Sequence, residues 1–313
     1  MSALVEIDAL SVRFGSGAAG LLALADVDLR VEAGQVVGVV GESGSGKSTL
    51  ANSLGRLLPA AAQIAARQMR VADQDLAALS GAGLRAYRRE VLSFIFQDPV
   101  SAMDPTKRVA AAMRLVQPDS TAILRQRLEA VGILDPERVL KAYPHELSGG
   151  MAQRVCIATA LMREPRLLIA DEPTAALDAS LKREVMDLMF ARCAELGTAV
   201  LFVSHDLGLV RQYCQRVLVM YAGRVVEERD TAALFSNPRH PYTQALLSAD
   251  PGQIAPGARL AGKAWRPSAP MPSTDGRAAG SGGEGTEPDS LTVQGDQGAP
   301  GDAGTSRNPS DGV

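Results

Sequence analysis

The residues best suited to chemistry lie in one nonapeptide, Gly41-Glu42-Ser43-Gly44-Ser45-Gly46-Lys47-Ser48-Thr49, a glycine-rich run ending in a lysine and two hydroxyls. Glycines let a backbone curl until successive N–H groups converge on an anion, and a helix beginning there adds the partial positive charge of its N-terminus. A lysine at that point reaches the β- and γ-phosphates of a nucleotide, and the serine hydroxyl beside it ligates Mg²⁺. The competing reading is an accidental glycine-rich turn. Its surroundings argue against accident: Val36-Val37-Gly38-Val39-Val40 reads as a buried strand, and Leu50, Leu54, Leu57 and Leu58 follow a helical pattern.

Other candidates sit where apolar runs stop. Val91-Leu92-Ser93-Phe94-Ile95-Phe96 ends at Gln97-Asp98-Pro99, which leaves a side-chain amide at a strand end, able to meet a metal or a water. Leu167-Leu168-Ile169-Ala170 ends in Asp171-Glu172-Pro173. Neighbours on a strand project to opposite sides, so one carboxylate can join a Mg²⁺ shell while the other faces an attacking water. Two carboxylates closing so apolar a run are costly to bury without a cation, although a solvated strand end also accommodates them. The run 199–203 ends at Ser204-His205-Asp206. A lone histidine is usually structural, but this one closes a buried strand at the same end as Gln97 and the carboxylates, where ligands collect in an open parallel sheet. Ser148, followed by Gly149 and Gly150, is a good helix N-cap whose glycines allow close backbone approach. That helix start is either a second phosphate site or only a capped helix. Phe14 precedes a loop between two strands and suits base stacking and core packing equally well.

The elements that must position these groups follow from pattern. Residues 4–14 and 26–31 read as strands, the second alternating strictly, as an antiparallel strand with one wet face does. The signal weakens over 63–82, with alternation around Met69-Arg70-Val71, and a helix is predicted over 83–90. Residues 105–146 are mostly helical in pattern, with Ile123, Leu124, Leu128 and Val131 on one face and breaks at Pro118 and Pro136. Strands at 217–221 and 224–228 flank Gly223 as a hairpin, and Asn237-Pro238-Arg239-His240-Pro241-Tyr242 reads as a turn leading into a helix with proline at its first position. After Pro251 the composition shifts to Gly, Pro, Ser, Asp and Ala, which predicts disorder over 251–313.

Composition narrows the class of partner. A chain of 313 residues with 46% apolar content supports a substantial core, and a formal net charge of −3 gives no global electrostatic attraction to nucleic acid or anionic lipid. Cys156, Cys193 and Cys214 lack the spacing of a zinc site or a disulfide framework and are expected to be buried thiols in a reducing compartment. Glu6 and Asp8 precede any long apolar run, and none approaches the ~18 residues of a membrane span, so the chain is expected to be neither secreted nor membrane-spanning.

Taken in order over about the first four-fifths of the chain, these segments resemble the nucleotide-binding subunit of an ATP-binding-cassette transporter. The resemblance implies an α/β fold: a P-loop NTPase core with a mainly parallel sheet, an N-terminal antiparallel β subdomain and an inserted helical subdomain. It places the cassette at residues 1–250, with the helical insert at about 105–150. By this likeness Phe14 stacks on the base, residues 41–49 form the Walker A loop, and Gln97 is the Q-loop glutamine that senses the γ-phosphate. Ser148, Gly149 and Gly150 belong to the signature motif, Asp171 closes Walker B, Glu172 is the catalytic glutamate, Asp178 falls in the D-loop and His205 is the switch histidine. ATP and Mg²⁺ are the implied ligands, with Ser48, Gln97 and Asp171 on the metal. The nucleotide would be sandwiched between the P-loop of one cassette and the signature helix of another.

The likeness sharpens at Tyr143-Pro144-His145-Glu146-Leu147 and at residues 237–247, which look like the dipeptide, oligopeptide and nickel importer ATPases and their extension, here about 231–250. It implies a second ATPase subunit, two membrane permeases, an extracytoplasmic solute-binding protein and a site of action on the cytoplasmic face of the bacterial inner membrane. The extension, outside every nucleotide motif, is expected to serve assembly. A soluble accessory ATPase, as in phosphonate utilisation, is the alternative. Two features depart from the family: residues 64–76 lack the glycine-flanked hairpin expected after Leu58, and the helical insert is short. No cysteine follows Cys214, which excludes the iron–sulfur tail of some relatives.

Overall fold

A computed structural model describes residues 3–15, 20–174, 177 and 179–249, the side chains of Ala179 and Ser180 excepted. All belong to one compact unit, Met1–Arg266; the second unit, Pro267–Val313, lies outside the described residues, as do Asp178 and the rest of the tail expected to be disordered.

Strands β1 (Val5–Phe14) and β2 (Leu21–Val31) pair antiparallel from Val5↔Val31 to Phe14↔Leu21, and β2 alternates buried and exposed residues from Val27 to Val31, as its sequence requires. The buried strand β3 (Val36–Val40) then delivers the glycine loop to α1 (Lys47–Leu54). Next come β4 (Ala62–Ala65), β5 (Gln68–Val71) and β6 (Gln74–Asp75), then α2 (Gly81–Glu90) and β7 (Leu92–Ile95). A helical stretch holds α3 (Val109–Val116), α4 (Thr121–Glu129), α5 (Pro136–Lys141) and α6 (Gly149–Leu161). The chain continues through β8 (Leu167–Asp171), α7 (Ala179–Leu196), β9 (Ala199–Val203) and α8 (Leu207–Tyr213). It closes with β10 (Arg216–Tyr221), β11 (Arg224–Asp230), α9 (Thr231–Ser236) and α10 (Pro241–Ser248).

The main sheet runs β11-β10-β3-β9-β8-β7, parallel throughout except for β11 at its edge. Its central strands are apolar end to end because both faces are covered. Val37, Val39, Leu167, Ile169, Leu201 and Val203 pack toward the antiparallel sheet and α1. Their strand neighbours Val40, Leu168, Ala170, Val200 and Phe202 pack toward α6, α7 and α8. Deleting a side chain such as Phe202, 0% exposed, would cost about 3–5 kcal/mol.

Three expectations change on inspection. The hairpin missing from 64–76 is present: β4 and β5 both pair with β1, and β5 turns into β6 through Ala72 (φ 51°) and Asp73 (φ 64°), which take the left-handed conformation without glycine. Ile123, placed on the buried face of its helix, is 41% exposed, whereas Leu124, Leu128 and Val131 are buried. Of the thiols, Cys193 and Cys214 are buried while Cys156 is half-buried, its Sγ near the Pro99 carbonyl; burial pushes Cys156 and Cys193 up to about 12.

Candidate active site

The glycine loop has the shape its sequence demands. Gly41 (φ 150°) and Gly46 (φ 103°) adopt backbone conformations that other residues avoid. A Cβ on Gly41 would lie 2.2 Å from the Met220 carbonyl oxygen, and one on Gly46 would lie 2.9 Å from that of Ala23. Gly46 is the N-cap of α1, so no side chain occupies that helix terminus. Such a start leaves first-turn N–H groups to an anion. Lys47, 6% exposed, donates through Nζ to the Gly41 carbonyl at 2.9 Å and the Glu42 carbonyl at 2.8 Å. Burial holds its pKa below the usual lysine value, opposed by Glu172, Asp171 and Glu42 nearby.

Two cavities flank that lysine. The larger, about 600 Å³, is lined by Phe14, by Ser43, Gly44 and Gly46 through Thr49, and by Gln97 and Glu172. The smaller, about 360 Å³, is lined by Gly41, Glu42, Lys47, Glu172, His205 and Leu246. Phe14 thus stands on the rim of the loop's cavity while also packing on the core beneath.

Because β7, β8 and β9 are adjacent and parallel, the groups at their C-terminal ends meet. Gln97 Nε2 donates to Glu172 Oε2 at 3.1 Å, and His205 Nδ1 lies 3.4 Å from the same oxygen. Glu172 itself sits at φ 47°, a strained backbone held by its N–H bond to the Val203 carbonyl at 2.9 Å. Strain of this kind, on the order of 1–3 kcal/mol, persists where the surroundings enforce it and clusters at functional sites. The carboxylate, 22% exposed, opens to both cavities.

Asp171 faces the other way. Its Oδ1 is buried with no hydrogen-bond partner among the described residues. Burial raises its pKa, a bond from Ser48 opposes the rise, Glu172 adds to it and Lys47 opposes it. The described residues hold no cluster of three carboxylate, histidine or cysteine ligands. One carboxylate, one hydroxyl and one amide suit a hard cation that takes its remaining ligands from phosphates and water, which is how Mg²⁺ is bound. The donor set of Ser48, Asp171 and Gln97 therefore fits Mg²⁺.

Ser148, Gly149 and Gly150 lie elsewhere. Ser148 Oγ accepts the Met151 N–H at 3.3 Å, capping α6, and both Ser148 and Gly149 are exposed. None of the three lines a cavity beside Lys47. Gly150 is buried, and a Cβ there would sit 2.2 Å from Leu181 Cδ2, so a larger residue would displace that side chain of α7. Sequence reasoning missed Tyr242 and Leu246: the Tyr242 hydroxyl accepts the Glu42 N–H at 2.8 Å across 200 residues of sequence. The extension is therefore not separate from the glycine loop, and no local spacing signals that contact.

Residues 24–175 match the ABC transporter family, and residues 226–274 match the oligopeptide/dipeptide transporter C-terminal region. Over 257 residues the chain is 41% identical to the probable peptide ABC transporter ATP-binding protein y4tR of Sinorhizobium fredii, covering 79% of this chain and 77% of that one. Over 267 residues it is 41% identical to the dipeptide transport ATP-binding protein DppD of Escherichia coli, covering 83% of this chain and 82% of that one. Among solved structures it resembles the dimeric ATP-binding cassette MJ0796 in a post-hydrolysis state bound to ADP and Pi, with a TM-score of 0.62 and 26% identity over 72% of this chain and 98% of that one. A glycine loop on a buried lysine, a strained glutamate gripped by Gln97 and His205, and these likenesses agree: the chain is an ATP-hydrolysing member of the ATP-binding-cassette transporter family, of the dipeptide/oligopeptide importer type.

Proposed function

We propose that this chain powers the import of peptides, as one of two cassettes docked beneath two permease subunits on the cytoplasmic face of a bacterial inner membrane, with an extracytoplasmic binding protein supplying the solute. The meeting of Gln97, His205 and Glu172 beside Lys47 carries the catalytic part of this reading. The match of 226–274 to the oligopeptide/dipeptide region, with relatives named for peptide transport, supports peptide as cargo and favours import over an accessory role.

Lys47 and the N–H groups of the glycine loop bind the phosphates, and Phe14 receives the base. Ser48, Asp171 and Gln97 would hold Mg²⁺, which would supply charge neutralisation at the phosphates. Glu172 accepts a proton from the attacking water, while Gln97 and His205 hold its carboxylate in place. His205, 61% exposed and lining the cavity beside Lys47, would also contact the γ-phosphate. Closure on a second cassette brings in the partner's signature helix, and hydrolysis releases it, so the nucleotide biases a two-state interface. An apolar groove of about 550 Å³, lined by Phe94, Phe96, Met103, Val109, Met113 and Leu115, lies between the strand leading to Gln97 and the helical insert. Phe96 and Leu115 are 44% and 70% exposed there, which supports this groove as the permease contact coupled to Gln97.

Recovery of the tagged chain tests the assignment. It is expected in the membrane fraction with two permease subunits, although none of the helices among the described residues is long and apolar enough to cross a membrane. Recovery from the soluble fraction alone would overturn it.

A further inference from the structure

The extension after β11 is fastened at its base and reaches the glycine loop at its far end. Glu227 on β11, 8% exposed, accepts the N–H groups of Arg239 and His240, each at 2.9 Å. His240 Nδ1 then accepts the Tyr242 N–H at 3.1 Å, capping α10, with Pro241 fixing its first turn. Tyr242 is thereby buried to 5% exposure, its ring centroid 4.6 Å from that of Tyr221. Its hydroxyl meets the Glu42 N–H at 2.8 Å, and Leu246, one turn further along α10, walls the cavity that holds Lys47, Glu172 and His205.

That contact singles out one peptide unit. The N–H held by Tyr242 and the carbonyl of Gly41 belong to the same plane, and that carbonyl accepts Lys47 Nζ at 2.9 Å. The plane is gripped at both ends. Gly41, at φ 150°, has no Cβ to resist rotation of the plane, so its orientation depends on these two bonds, one of them from outside the loop. We propose that Tyr242 is a positioning residue for ATP: its hydroxyl fixes the Gly41–Glu42 peptide and so the anchor of Lys47, making the C-terminal extension part of the nucleotide site. The inference rests on Lys47 serving the phosphates. A hydrogen bond in a part-buried setting is worth about 1 kcal/mol net, roughly fivefold in an equilibrium constant. Coupling is reciprocal, so nucleotide must in turn hold α10 in place.

The test compares Tyr242→Phe, which keeps the ring, with Tyr213→Phe, which removes a hydroxyl bonded to Asp187 at 2.6 Å, away from the loop. In the full chain, Tyr242→Phe is expected to raise the Kd and KM for ATP about threefold to tenfold, with kcat within about twofold and the nucleotide-free Tm lowered by about 2–4 °C, the cost of the lost bond. Tyr213→Phe is expected to leave Kd unchanged. Amide exchange across α10 should slow on ATP binding in the parent chain, and slow less in Tyr242→Phe. An unchanged Kd in Tyr242→Phe, or a loss of affinity matched by Tyr213→Phe, would overturn the proposal. Lys47→Ala separates the underlying reading: if it binds ATP normally, the lysine assignment fails whatever Tyr242 does.

Discussion

Two stretches of this chain use the same local grammar and end in opposite surroundings. Residues 41–49 and residues 148–150 each place glycines at the start of a helix, the arrangement that invites a phosphate. The first is enclosed by its own chain: Lys47 is buried on loop carbonyls, Tyr242 holds Glu42, and strand ends bring Gln97, Glu172 and His205 to its cavities. The second faces outward, Ser148 Oγ accepting the Met151 N–H of its own helix and sharing no cavity with Lys47. A helix N-terminus is one half of an anion site, and where the other half comes from is a matter of tertiary structure. For residues 148–150 we propose that it comes from the P-loop of a second cassette.

The sharpest way to separate binding from turnover on the enclosed side is Glu172→Gln. ATP binding is expected to persist, because Lys47, Ser48 and Asp171 are untouched, while steady-state hydrolysis falls by about 10²-fold or more. Near-normal turnover would remove Glu172 from the role of base.

A smaller effect probes the metal side of the same enclosure. Asp171 carries a buried Oδ1 with no partner among the described residues, and burial disfavours its charge. Asp171→Asn is therefore expected to raise the Tm of the nucleotide-free protein by about 2 °C, equivalent to less than about 1 kcal/mol, while weakening the Mg²⁺ dependence of ATP binding. A lower Tm would show that the carboxylate is already satisfied within the protein.

Much of this site was legible in the sequence, and the reason is geometric. Adjacent parallel strands align their C-terminal ends, so a polar residue closing each apolar run must arrive near its counterparts; Gln97, Glu172 and His205 were readable for that reason. The order of strands in the sheet, β11-β10-β3-β9-β8-β7, carries no such local mark. The β5–β6 hairpin escaped detection because Ala72 and Asp73 take a conformation usually signalled by glycine. Ile123 misled because an amphipathic pattern fixes a face to within a residue, not which residue at its margin is covered. Tyr242 was legible as part of a family extension but not as a neighbour of Glu42, since a contact spanning 200 positions leaves no period to read.

Mixed dimers test the central comparison most directly, with Ser148→Arg and Lys47→Ala placed either on the same chain or one on each. If residues 148–150 complete the partner's P-loop, the split pair concentrates both lesions in one site and leaves the other competent. Single-turnover hydrolysis should then persist at about half the parent amplitude. The doubly substituted chain with a parent partner should lose both sites and show almost none. The reverse pattern, activity with the joined lesions and none with the split, would show that Ser148 serves the Lys47 of its own chain and would contradict the account.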